Sequence, residues 1–180
     1  MKLETYKEKR DRLFGKNRPH IRLFDPNKNE DMAILWVAHK HKPFYELSEK
    51  IEQSIFCEKI KSLARETEIL IIDDDNEQFP SRTGPVVVIW MFSDGWRYEP
   101  HAEFFPWASK RNIFRTSVAF LQFIRYQRQV GVCFIRSLEE SKNLLEHCCE
   151  YGVLRPVGRV ICGDPRGNEY LFSIEGKKKP

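Results

Sequence analysis

The sequence predicts an α/β protein with a mixed α+β sheet covered by amphipathic helices. Two observations carry this. Apolar runs rich in β-branched residues, Glu68–Ile72, Val86–Phe92 and Val130–Ile135, read as buried strands. Between them, apolar residues recur at helical spacing: Leu47, Ile51, Ile55, Phe56, Ile60 and Leu63 in one segment, Ile113, Phe114, Val118, Leu121 and Ile124 in another. At 180 residues the chain suits one domain, expected over residues 20–176 between a basic arm at 1–19 and a basic tail at 177–180.

Taken in order, residues 1–19 are polar and predict a mobile arm or a short helix. Ile21-Arg-Leu-Phe24 is a first strand, ended by the turn residues Asp25-Pro26-Asn27. A helix is expected over 29–39, capped by Asn29 or Asp31 and stopped at Pro43, and a second over 45–66. The strand 68–72 should end at Asp73-Asp-Asp-Asn76. A loop over 76–85 leads to the strand 86–92. Ser93-Asp94-Gly95 reads as a hairpin turn, because Gly takes positive φ at little cost. The returning strand runs from Trp96 to Trp107, bent by Pro100 and Pro106. A helix follows over 112–127, then a central strand over 130–135. A last helix is predicted from a capping box at Ser137 and Glu140 to Tyr151, with Gly152 as its C′ residue. Strands 156–162 and 169–174, joined by the turn Gly163–Gly167, close the chain. The order is β-α-α-β-β-β-α-β-α-β-β.

Composition narrows the function. The chain is 41% hydrophobic and 31% charged, as in soluble domains with a packed core. No apolar run approaches the roughly 18 residues of a membrane span, and the first residues lack the apolar segment of a signal peptide. The five Cys (57, 133, 148, 149 and 162) offer no paired spacing for zinc, and His39 with His41 lacks a third ligand, so no metal is expected. Free buried thiols fit a reducing, cytoplasmic compartment. A net charge of +4, partly in the two tails, is too weak to make nucleic acid the main partner.

The element order, together with Cys148-Cys-Glu-Tyr-Gly152-Val-Leu, Val157-Gly-Arg-Val160 and Glu169-Tyr-Leu-Phe-Ser-Ile174, resembles the GCN5-related N-acetyltransferase (GNAT) fold. Pro100-His-Ala-Glu-Phe-Phe-Pro-Trp-Ala-Ser109 and Tyr170–Gly176 resemble small GNAT-like proteins of tailed bacteriophages, some of which serve in virion assembly. The resemblance implies an acyl-CoA N-acyltransferase fold, with acetyl-CoA and an amine as partners if the protein is an enzyme. It implies other phage structural proteins as partners if it is a non-catalytic assembly component, located in the host cytoplasm or the virion.

The same resemblance assigns candidate residues. The family holds the CoA pyrophosphate on a glycine-containing loop opening a helix, where backbone amides face the anion. The equivalent stretch here has neither glycine. Phe105, Trp107, Ser109, Lys110, Arg111, Asn112, Ile113, Phe114 and Arg115 are its candidate cofactor-binding residues, with Lys110, Arg111 and Arg115 supplying positive charge. Glu103 and Glu99 lie on the fourth strand, where a base is expected. If that strand alternates, they share a face with His101. The family's acid Tyr falls on Cys148, a departure from the standard mechanism, and a buried core thiol is the plainer reading of it.

Overall fold

The computed structural model describes residues 4–44, 47–75, 83–93, 98–127, 132–160 and 169–175. The elements are α1 (Tyr6–Phe14), β1 (His20–Leu23), α2 (Asn29–His41), α3 (Gln53–Glu66), β2 (Glu68–Asp75), β3 (Thr83–Ser93), β4 (Tyr98–Phe104), α4 (Lys110–Gln127), β5 (Val132–Leu138), α5 (Glu139–Cys149), β6 (Arg155–Val160) and β7 (Glu169–Glu175). They form two sheets, ordered β1-β2-β3-β4 and β5-β7-β6. Two compact units result: Met1–Pro19 with Asp94–Glu99 and Phe114–Pro180, and His20–Ser93 with Pro100–Ile113.

In the second unit, β1 pairs antiparallel with β2, Ile21 opposite Ile72, and β2 with β3, Ile71 opposite Val88. Alternation sorts the side chains into two faces. Ile69, Ile71, Val88 and Trp90 join Met32, Leu35, Phe44, Phe56, Ile60 and Phe105 in one core, while Leu70, Ile72, Val87 and Ile89 are buried on the opposite face. Contrary to expectation, β2 does not stop at Asp73. It runs to Asp75 because Gly84 and Thr83 still pair with Asp74 and Asp75 after a bulge at Ile72/Asp73. The acidic run is held inside a ladder rather than released into a turn.

The α2 cap also differs from the sequence reading. Asn29 lies inside the helix, Lys28 is the N-cap, and no side chain caps it. Asp31 does other work. One of its oxygens accepts from Asp25 N at 3.0 Å and the other from Arg22 NH1 at 2.7 Å, while Arg22 Nε reaches Asp73 at 2.8 Å. Burial opposes the Arg22 charge, but Asp73 and then Asp31 outweigh it and hold the guanidinium above its ordinary value. The buried charge of Asp31 is thereby compensated and ties β1, β2 and α2 together.

Helix α3 begins at Gln53, not at 45. Leu47 N bonds Phe44 O, Ile51 N bonds Ser48 O, and Ser48 Oγ accepts from Lys50 N, so local turns replace the first helical turns. His39 organises this connection. It is fully buried; its Nδ1 accepts from Phe44 N at 3.1 Å, which leaves Nε2–H to donate to Ser48 O at 3.2 Å. Replacing His39 by Leu strands both backbone groups. A loss of about 2–4 kcal/mol in urea unfolding is expected.

In the first unit, the 1–19 arm is ordered as α1 by a capping box. Thr5 Oγ1 accepts from Glu8 N, and the Glu8 carboxylate accepts from Thr5 N at 2.8 Å. These bonds lower the Glu8 pKa. In the order of its own sheet β5 stands at one end rather than at the centre: β7 lies between β5 and β6, with Cys133 opposite Ile174 and Gly158 opposite Leu171. Helix α5 ends at Cys149, two residues short of the expectation. Gly152 follows at φ 68°, and a Cβ there would stand 2.6 Å from the Tyr6 ring. Ser137, expected to cap α5, lies instead inside β5, which runs to Leu138 before α5 starts at Glu139; the expected turns at Asp94–Gly95 and Gly163–Gly167 fall outside the described residues.

Candidate functional site

Strand β4 delivers the site. Phe105, just beyond it, bonds Val86 O through its amide at 2.9 Å and is buried in the α2/α3 core. By alternation His101 and Glu103 face the same way. They line a cavity of about 520 Å³ with Trp90 and Phe92 of β3, Lys59, Ile60 and Leu63 of α3, and Phe44 and Leu47 of the α2–α3 connection. The wall is mostly apolar and aromatic. Phe92 meets His101 edge-to-face at 5.1 Å, and Trp90 lies against Phe44. Glu103 is the one carboxylate in the described lining, partly buried, and Lys42 Nζ stands 3.5 Å from it. Glu99 lies on β4, but its side chain is outside what the structure describes.

Past β4 the chain turns at Pro106. Trp107 stacks on Phe105 at 5.1 Å and donates from Nε1 to Pro85 O at 2.7 Å. Both aromatic rings are thus held by the core side of β3. Ser109 caps α4: its hydroxyl accepts from Asn112 N at 3.1 Å and donates to Asn112 Oδ1 at 2.5 Å. Asn112 then turns its amide into β2, donating to Asp74 Oδ2 at 3.1 Å and Asp75 O at 2.7 Å. Ile113 N goes to Ser109 O. The first-turn amides of Lys110 and Arg111, and their exposed cationic side chains, are what this helix start can offer an anion.

The remaining predicted residues belong to the first unit. Phe114 packs on His147 at 4.6 Å and Tyr151 at 5.2 Å. Arg115 is buried and spends its guanidinium on carbonyls of the arm: Leu13 O at 2.8 Å, Phe14 O at 3.3 Å and Asn17 O at 2.6 Å. It fixes α1. Cys148 is fully buried, and burial, with the neighbouring Cys149, pushes its thiol up to about 12. The ordinary thiol value is 9.0, so the folded state keeps this proton where the unfolded chain has lost it. The contribution is complete below pH 9 and is lost as pH rises towards 12, about 4 kcal/mol at about 1.4 per unit. Wild type should therefore lose more stability over that range than Cys148→Ala in pH-dependent urea titrations.

Sequence reasoning missed the cavity wall from α3 and the α2–α3 connection; the helical spacing of Ile60 and Leu63 marked them only as core. Among the described residues no group of three His, Cys, Asp or Glu could hold a metal, and no helix is long and apolar enough to cross a membrane.

No family model matches the chain, and no curated protein matches it by sequence. Solved structures do match. Spermidine N-acetyltransferase from Vibrio cholerae in complex with CoA and spermine superposes with a TM-score of 0.61 at 8% identity, over 88% of this chain and 95% of that one. A chimera of the Vibrio cholerae enzyme SpeG with hSSAT gives 0.63 at 8%, over 88% and 96%. A dodecameric structure of the Vibrio cholerae enzyme in an intermediate state gives 0.61 at 9%, over 88% and 94%. The chain has the fold of these acetyltransferases, with α1 placed before its first strand.

Proposed function

We propose that the protein is an acyl-CoA-dependent N-acyltransferase acting on a small amine with an apolar body. The observation that carries this is the β4 cavity, in which Glu103 and His101 stand at an aromatic and aliphatic wall. Solved structures of this fold are named as spermidine N-acetyltransferases, one of them bound to CoA and spermine. Among the described residues one carboxylate and one lysine line the pocket, and this charge favours an amine with a single cationic centre over a polyamine.

Glu103 accepts a proton from the bound ammonium, directly or through water. The freed nitrogen attacks the thioester carbonyl, whose oxygen is polarised by β4 amides; as the C–S bond breaks the nitrogen releases its second proton to solvent, and the leaving CoA thiolate takes one from solvent. Lys110 and Arg111, with their amides, receive the pyrophosphate. They fit an anion by charge, and without the family's glycines the side chains carry most of that contact. Acetyl-CoA should raise the melting temperature by mass action and support acetylation of an arylalkyl or alkyl amine. No shift at millimolar acetyl-CoA, together with no turnover across such amines, overturns the reading.

A second reading is a non-catalytic, phage-encoded virion or assembly component that keeps the scaffold. It is favoured by the inward use of Asn112 and Arg115 and the burial of Cys148 at the family's acid position. It rests on the resemblance of residues 100–109 and 170–176 to phage proteins, and absence of the chain from purified particles and assembly intermediates removes it.

A further inference from the structure

The cation beside Glu103 belongs to the chain itself. Lys42 Nζ stands 3.5 Å from Glu103 Oε2. Lys42 is the C-cap of α2, with an extended backbone whose amide donates to Ala38 O at 2.9 Å. The cavity wall begins two residues further on, at Phe44. The end of α2 thus anchors the Lys42 backbone beside the pocket, while its side chain is mostly exposed. An exposed ion pair of this kind contributes little to stability and breaks readily in water.

A lysine side chain has the chemistry assigned to the pocket's substrate: a primary amine, one cationic centre and an aliphatic stem. That stem is flexible, so Nζ can leave the carboxylate and return to it. Because it is tethered, its encounter with the base is intramolecular and does not depend on the concentration of a free amine. Lys59 lines the same cavity from α3, and Lys50 is exposed on the α2–α3 connection. Among the described residues neither is an ion-pair partner of Glu103.

We propose that Lys42 is a modification site of the protein itself, acetylated in cis with Glu103 as base and acetyl-CoA as donor. This rests on the acyltransferase reading above. Glu103 takes a proton from the Lys42 ammonium. The neutral Nζ attacks the carbonyl carbon of the thioester and forms the N–C bond. As the C–S bond breaks, the nitrogen releases its second proton to solvent and the CoA thiolate takes one from solvent. The product is a neutral amide, so the ion pair with Glu103 is lost.

The test is a time course of the full chain with isotopically labelled acetyl-CoA, read by peptide mass spectrometry, with butylamine turnover measured in parallel. Lys42 should label faster than Lys59 and Lys50 by about tenfold or more, at a rate independent of protein concentration. In Glu103→Gln the rate should fall by about tenfold or more, and Glu103→Asp should recover part of it. Glu103-dependent labelling of Lys42 supports the proposal whether or not butylamine is turned over. Labelling of Lys42 no faster than of Lys59 and Lys50, or unchanged in Glu103→Gln, overturns it, and a rate proportional to protein concentration overturns modification in cis. In those cases acetylation of butylamine leaves the acyltransferase reading standing. Its absence, together with no acetyl-CoA-dependent rise in melting temperature, overturns that reading too.

Discussion

Glu103→Gln is expected to lower kcat for acetyl transfer by about 10²-fold or more, with KM for acetyl-CoA changed less than about threefold. The amide keeps the shape of the side chain and cannot take the ammonium proton. Its fold should survive, since Glu103 is partly exposed and its ion pair with Lys42 is an exposed one worth at most about 1 kcal/mol. Glu103→Asp, which retains the carboxylate, should recover part of the rate. Equal turnover by wild type and the Gln form would remove Glu103 from the base role while leaving the fold assignment intact.

Phe56→Ala should be the most destabilising single change in the α2/α3 core. The ring is fully buried and lies 5.1 Å from Trp36, 5.0 Å from His39 and 6.3 Å from Phe44. Truncation removes its burial and leaves a cavity beneath an aromatic cluster, at about 3–5 kcal/mol. For a chain of this length that lowers Tm by about 10 °C, measurable by calorimetry. Because Phe44 also lines the β4 cavity, amine KM should rise as well. Coincident loss of stability with an unchanged KM would show that the pocket wall is held independently of this cluster.

The two predictions draw on different levels of information. Phe56 was legible as core from its helical spacing with Ile60 and Leu63. Glu103 was legible as a candidate from its place on the fourth strand, but its neighbours were not. Phe92, Trp90, Lys59 and Leu47 reach the same cavity from three segments, and no local pattern encodes that meeting. The α4 start shows the reverse case. Ser109, Asn112 and Arg115 are candidates because the family resemblance places a pyrophosphate loop at this helix start, where backbone amides suit an anion. Long-range bonds engage two of them: Asn112 is drawn to Asp74, 38 positions away, and Arg115 to Leu13, 102 positions away. Element ends failed for a similar reason, since the β2 and α3 boundaries depend on pairing partners and on His39 rather than on propensity.

The class of fold, the order of all the elements after α1 and the apolar faces were legible from local periodicity, because each depends on residues that are near neighbours along the chain. Long-range packing was needed to show that β7 enters between β5 and β6, that Tyr6–Phe14 of the arm form a capped helix, and that Arg10, Arg125 and Arg155 line one cavity. Those outcomes depend on which long-range partner satisfies each buried charge and carbonyl, and that competition is settled only when the whole chain is packed.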